Sequence, residues 1–271
     1  MAPRPITFLS DYGETDGFAG ICRAVIAKIA PEAALIDLSH GIARHDVHQG
    51  AAVLANSTPF AAAGVHLAVV DPGVGSSRAA VAVATAAEGR LFVGPDNGLL
   101  STAIARFGGA SEAVEISSSS ARLEPVSETF HGRDIFAPVA AHLALGEPLA
   151  SLGEAIDPGS LHPLELGEPE VEPGLRLTAE VGYVDDFGNA TLRATVADAE
   201  LAGLRVGQRL RVSALRRSSE ALYGRTFAEV GADQLLVYAG ASGSLALAIN
   251  LGSAADVLTL TAGERVALTP M

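Results

Sequence analysis

The chain has 271 residues, 49% of them hydrophobic, and a net charge of −13 from 31 acidic and 18 basic side chains. That balance argues against a nucleic-acid partner, which needs a basic surface, and is compatible with a cationic ligand. No charge-free apolar run is long enough to span a membrane, and the lone Cys22 excludes internal disulfides and cysteine-based zinc sites.

The first residues, Met1-Ala-Pro-Arg-Pro-Ile6, lead straight into a strand pattern rather than a signal-peptide core, so a cytoplasmic, reducing location is expected. Ile6 to Leu9 reads as that strand. It ends in Ser10-Asp11-Tyr-Gly-Glu-Thr-Asp16-Gly17, and helical spacing of apolar residues runs from Phe18 to Ala30 before Pro31 stops it. Ala34 to Leu38 is a second strand, Asp46 to Ala55 a helix with Asp46 as N-cap, and Val65 to Val70 a third strand. This alternation predicts a doubly wound α/β domain with a mostly parallel sheet flanked by helices.

Strands follow at 79–85 and 90–93, joined through Glu88-Gly89, then a turn at Gly94-Pro-Asp-Asn-Gly98 and helices over 99–107 and 136–145. Pro- and Gly-rich linker chemistry fills 157–174, separating an N-terminal domain over 1–165 from a C-terminal domain over 174–271. In the second domain, 175–184, 209–214, 235–238, 245–251 and 255–260 read as strands of a small all-β barrel or sandwich.

Polar groups collect at the ends of these elements. Asp71 follows the third strand, in Asp-Pro-Gly-Val-Gly, with Arg78 seven residues on, where open α/β sheets bind their ligands. Asp11 and Asp16 flank the first strand-to-helix loop, Asp134 reads as the N-terminal cap of the next helix, and Asp185 to Asn189 interrupts a strand pattern. Taken singly, most of these fit turn and cap chemistry equally well. The histidines lack metal-ligand spacing, so no metal is expected. No Gly-x-Gly-x-x-Gly or Walker loop points to a dinucleotide or nucleoside triphosphate, and no cofactor is expected.

Seven signatures nevertheless occur in register: Leu9-Ser-Asp11-Tyr-Gly-x-x-Asp16, Ser39-His40, Val70-Asp-Pro-Gly-Val-Gly-x-x-Arg78, Gly94-Pro-Asp-Asn-Gly-Leu-Leu100, Thr129-Phe-His131-Gly-Arg-Asp-Ile-Phe136, Asp185-x-Phe-Gly-Asn189 and Ser242-Gly. Together they resemble the S-adenosylmethionine hydroxide adenosyltransferases, relatives of the fluorinase and chlorinase enzymes. The resemblance implies an α/β domain followed by a β-barrel, assembled as a homotrimer with S-adenosylmethionine held at subunit interfaces. It implies that Asp11 binds the ribose hydroxyls, Asp16 and Asp185 the methionine ammonium, and Ser242 the methionine carboxylate. Asn189 and Phe227 would then recognise adenine. It further implies hydrolysis to adenosine and L-methionine by attack of water at the ribose C5′, with Asp71, Arg78 and His131 as the catalytic set. The halogenases carry a tyrosine where Asp71 stands and lack a match to His131. This chain also departs from them at His45, where they have an aromatic over the ribose, and at Ser242, where they have an arginine. The other readings are a halide-using adenosyltransferase and a non-catalytic S-adenosylmethionine- or nucleoside-binding protein.

Overall fold

A computed structural model describes residues 2–215, 217–240 and 243–271. They fall into two compact units, divided after Glu165.

In the first unit, strand β1 (Ile6–Ser10) is followed by α1 (Phe18–Ile29), β2 (Leu35–Ser39), α2 (Val47–Ser57) and β3 (Val65–Val69). Helix α2 starts where expected, because the Asp46 carboxylate accepts the Gln49 N–H at 2.9 Å and satisfies one of the unpaired amides of the first turn. Then come β4 (Ala80–Thr85), β5 (Leu91–Pro95), α3 (Ser101–Arg106), β6 (Ala110–Glu115), α4 (Ala137–Ala144) and β7 (Glu154–Ile156). The strands form one sheet in the order β2-β1-β3-β5-β4-β6-β7.

That sheet is mixed rather than mostly parallel. The β2, β1, β3 and β5 strands run parallel, whereas β4, β6 and β7 add antiparallel neighbours. The cause is the short β4–β5 connection, where Glu88 (φ 61°) and Gly89 (φ 54°) make a tight turn that only an antiparallel pair accommodates. Alternation along the strands supplies both faces. Ile6, Phe8, Leu67 and Val93 pack with α1 and α4, through Ile26, Val139 and Leu143, while Leu9, Val81 and Phe92 pack with α2 and α3 through Leu54 and Ala103, joined by Leu99 just ahead of α3.

The second unit contains β8 (Glu170–Glu172), β9 (Arg176–Val184), β10 (Ala190–Thr195), α5 (Val196–Leu201), β11 (Arg209–Ser213), β12 (Ser218–Tyr223), β13 (Leu235–Ala239), β14 (Ser244–Ile249), α6 (Ala254–Leu258) and β15 (Arg265–Pro270). The order β10-β14-β13-β12-β11-β15-β9 closes through β10–β9 into a seven-stranded barrel, with β8 added at the start of β9. Closure removes the open edges that an isolated sheet would expose. Its interior holds Leu177, Val181, Leu192, Val212, Val237, Leu247 and Val266.

One expected strand is a helix. Residues 255–260 read as a short strand, but Ser253 caps the Asp256 N–H at 3.0 Å and Thr259 stops the turn at φ 57°, which leaves α6. Short apolar runs carry both periods at once. Among the described residues no helix is long and apolar enough to cross a membrane.

Candidate active site

The parallel strands deliver their polar residues to one edge. Asp11 follows β1 and Asp71 follows its neighbour β3 after Val70, so both carboxylates emerge at adjacent carboxyl ends. The Gly94–Gly98 turn at the end of β5 braces this edge: the Asn97 amide donates to the Val70 carbonyl at 2.9 Å, one residue before Asp71. Beside β1, Ser10 Oγ meets His40 Nδ1 at 2.7 Å and accepts the Tyr12 N–H at 3.2 Å, which shapes the Asp11 turn.

Arg78 closes back on Asp71. Its Nε donates to Asp71 Oδ1 at 3.1 Å and its Nη2 to Oδ2, a two-pronged pair whose side chains are only 8% and 6% exposed. The same Nη2 lies 3.1 Å from His131 Nδ1, and the guanidinium sits 5.3 Å over the Phe136 ring. Two loops make this meeting possible. Gly75 adopts φ 77° and its Cα approaches the Glu128 carbonyl so closely that a Cβ would lie 2.6 Å from it. A side chain there would force apart the loops carrying Asp71 and His131.

Protonation in the trio follows from donor counting. Arginine only donates, so His131 Nδ1 accepts, and the proton of the neutral ring resides on Nε2. Burial, reinforced by the nearby Arg78 charge, holds the His131 pKa below its ordinary value, favouring that neutral ring. Asp71 retains lone pairs beyond the two that receive Arg78.

A cleft of about 350 Å³ joins Asp11, Asp16, Asp71 and His131, with Tyr12, Phe18, Arg44 and Thr129 also in its wall. This is within the usual size range of small-molecule sites. Asp11 Oδ2 accepts the His45 N–H at 2.9 Å, across a loop where His45 is held at φ 64°. Tyr12, Phe18 and Phe130 form an aromatic triangle with centroid separations of 5.3–5.9 Å. Burial, then the neighbouring Cys22 and Asp11, pushes the Tyr12 hydroxyl well above its ordinary pKa, so it stays protonated. Gly132 makes room for that hydroxyl, since a Cβ there would lie 2.1 Å from it.

Asp134 is not the N-terminal cap that the sequence suggested. The chain is already helical through a wide π-type turn at Gly132–Phe136, which puts Asp134 inside the element. It is buried, accepts the Ser127 N–H at 2.8 Å and pairs with Arg133 at 2.6 Å. Burial opposes its charge, but the Arg133 and Ser127 hydrogen bonds win and hold its carboxyl below the usual range. Its task is to fix the loop leading to His131.

In the barrel unit, Asp185 and Asn189 belong to the β9–β10 turn and bind each other. Asp185 Oδ1 accepts the Phe187 and Asn189 N–H groups at 3.0 and 2.9 Å, and Oδ2 accepts the Asn189 side-chain amide at 2.9 Å. Phe227 is 41% exposed and lies 5.3 Å from the Tyr238 ring. Burial and then the Asp185 charge raise the Tyr238 pKa. Ser242 lies outside the described residues. Among the described residues, no three histidine, cysteine or acidic side chains cluster as a cation site.

Comparison with known proteins decides the family. Residues 6–153 match the model of the SAM hydroxide adenosyltransferase N-terminal domain and residues 179–267 that of its C-terminal domain. The chain belongs to the SAM hydroxide adenosyltransferase family. An (R)-S-adenosyl-L-methionine hydrolase of Salinispora tropica is 47% identical over 99% of both chains. A fluorinase of Nocardia brasiliensis is 29% identical over 97% of this chain and 96% of its own. The crystal structure of an uncharacterized conserved protein from Thermotoga maritima superposes with a TM-score of 0.89 at 35% identity, covering 97% of this chain and 99% of that one.

Of the family-implied site residues, Asp11, Asp16, Asp71 and His131 share the cleft, with Arg78 tying Asp71 to His131. Asp185 and Asn189 are paired within the barrel unit, where Phe227 lies beside Tyr238. Sequence reasoning did not single out Arg44, Thr129, or Tyr12 with its glycine partner Gly132. Tyr12 and Gly132 sat inside recognised signatures, so their presence there was the available signal. Arg44 had none beyond its place next to His45.

Proposed function

We propose that this protein hydrolyses S-adenosyl-L-methionine to adenosine and L-methionine. The observation that carries the reading is the Asp71, Arg78 and His131 trio opening on a cleft that also holds Asp11. Family membership supports it, as does likeness to a relative named for the same hydrolysis.

Displacement at C5′ expels a neutral thioether from a sulfonium, so the leaving group needs no proton. Water is the weak partner and gains from orientation and proton removal. In this mechanism Asp71 accepts the proton, because Arg78 only donates and the His131 nitrogen with a free lone pair is turned to Arg78. The water oxygen bonds to C5′, the C5′–S bond breaks, its electron pair stays on methionine sulfur, and the water proton passes through Asp71 to solvent. The His131 Nε2–H donates to the attacking oxygen as charge develops on it. Arg78 holds the carboxylate and the imidazole in one arrangement.

Asp11 takes the ribose hydroxyls with its acceptor-only oxygens, and Asp16 the methionine ammonium. Asp185 also serves the ammonium, Ser242 the carboxylate, and Asn189 and Phe227 the adenine by amide hydrogen bonding and stacking. We assign these barrel residues to a neighbouring copy in a homotrimer, on the family resemblance. The reaction as written needs no cofactor or metal, and its substrate and products are small molecules. The lone, buried Cys22 fits a cytoplasmic setting.

Incubation with S-adenosylmethionine in ¹⁸O-water, with and without excess fluoride or chloride, tests the reading. Label in the adenosine 5′-hydroxyl, unaffected by halide, is expected. Unlabelled adenosine, a 5′-halo-5′-deoxyadenosine, or no turnover at all would overturn it.

A further inference from the structure

The cleft is acidic, and that creates a difficulty for one end of the proposed substrate. Asp11, Asp16 and Asp71 all line it. They suit a sulfonium and an ammonium, but they repel the carboxylate beside that ammonium unless a cation answers it. Most guanidinium groups nearby are committed: Arg78 to Asp71 and His131, Arg133 to Asp134, and Arg23 to Asp37 and Glu14.

Arg44 is different. It lines the same cleft, it is exposed, and its side chain makes no ion pair or hydrogen bond with the described residues. Its backbone is nonetheless held on both sides. The Ala43 N–H donates to Gln49 Oε1 at 2.7 Å and the His45 N–H to Asp11 Oδ2 at 2.9 Å. Asp46, one residue further, caps α2. The loop therefore fixes where Arg44 leaves the backbone and leaves its five N–H donors available.

We propose that Arg44 supplies the cation that the Ser242 hydroxyl lacks, binds the carboxylate of the substrate's amino-acid end beside it, and so selects amino-acid-bearing sulfoniums over decarboxylated ones. A guanidinium presents two parallel N–H groups to a carboxylate, a match that an ammonium or hydroxyl lacks. The same contact holds the methionine end in the cleft that Asp16 also lines, where Asp16 takes the ammonium. The proposal rests on S-adenosylmethionine being the ligand of this cleft.

The test compares wild type, Arg44→Gln and Arg44→Lys against S-adenosylmethionine and its decarboxylated analogue, reading Kd by calorimetry and KM by adenosine release. Removing one charge-assisted contact should weaken S-adenosylmethionine binding roughly tenfold to a hundredfold in Arg44→Gln. The analogue should bind both proteins within about twofold, and Arg44→Lys should recover part of the loss. Equal weakening toward both ligands, or weakening toward neither, overturns the carboxylate role. Tight binding without adenosine release would instead overturn the hydrolase reading, while the Kd comparison still decides Arg44. Failure of wild type to bind S-adenosylmethionine overturns both.

Discussion

Replacing Asp71 by asparagine separates the chemical role of this residue from its structural one. The Asp71 carboxylate receives both the Nε and Nη2 of Arg78, and both side chains are over nine-tenths buried. An asparagine keeps one acceptor oxygen for Arg78 but turns an NH₂ toward the second donor and has no basic site for a water proton. Loss of a general base typically lowers rate by about 10²–10⁴-fold, or about 3–5 kcal/mol of activation free energy. The lost charged hydrogen bond removes a further ~1–3 kcal/mol of stability, which in a protein of this size lowers Tm by several degrees. Adenosine release at saturating S-adenosylmethionine, calorimetric Kd and a thermal melt read the three quantities separately. The expectation is a kcat loss of at least a hundredfold, a Kd within about threefold and a modestly lower Tm. A variant that binds substrate normally and turns over within fivefold of wild type would refute Asp71 as proton acceptor.

Two further outcomes follow from the titrating groups. The His131 ring, depressed by burial and then by Arg78, should titrate below 6.5 in an NMR pH series, and Arg78→Gln should move the midpoint upward; a midpoint above 6.5 in wild type contradicts the Nδ1-acceptor arrangement. At the opposite end of β3, His66 is fully buried between Thr7 Oγ1 at 2.8 Å and Arg90 Nη1 at 3.2 Å, and burial followed by the Arg90 charge lowers its pKa from 6.5 to about 4. The unfolded chain protonates this ring first on acidification, so its contribution is complete above pH 6.5 and about 3 kcal/mol is lost on going down to pH 4. Urea unfolding of wild type and His66→Gln at pH 7 and pH 4 checks this; equal losses in both proteins would remove His66 as the cause.

Much of the first unit was readable because its signals are local. The β1-loop-α1 sequence announces itself by a buried run, a polar turn and 3.6-residue spacing ended by proline, and the Asp46 cap needs only residues three apart. The β4–β5 turn was equally visible at Glu88-Gly89, yet its consequence, an antiparallel half-sheet, lay in how strands pair. Other features had no local signal. Asp134 pairs with its neighbour Arg133 and with Ser127, seven residues back, because the helix begins earlier than its apolar spacing shows. The parallel β12–β13 pair and the closure of β9 on β10 are choices among strands of similar composition.

The residues that carry the proposed chemistry were legible as polar types at the ends of elements, Asp71 after a strand and His131 before a helix, and their order along the chain was enough to identify the family. Composition and spacing dictated that Asp11 and Asp71 follow buried strands, since apolar runs end where polar turn residues begin. What only the tertiary structure decided is that Arg78 faces both Asp71 and a histidine 53 residues further on, and that Arg44 lines the same cleft with no ion pair to any of the described residues. Those facts depend on two loops touching through Gly75 and on β1 and β3 lying side by side. Contacts between distant segments are set by the packing of the whole sheet, so no window of sequence contains them.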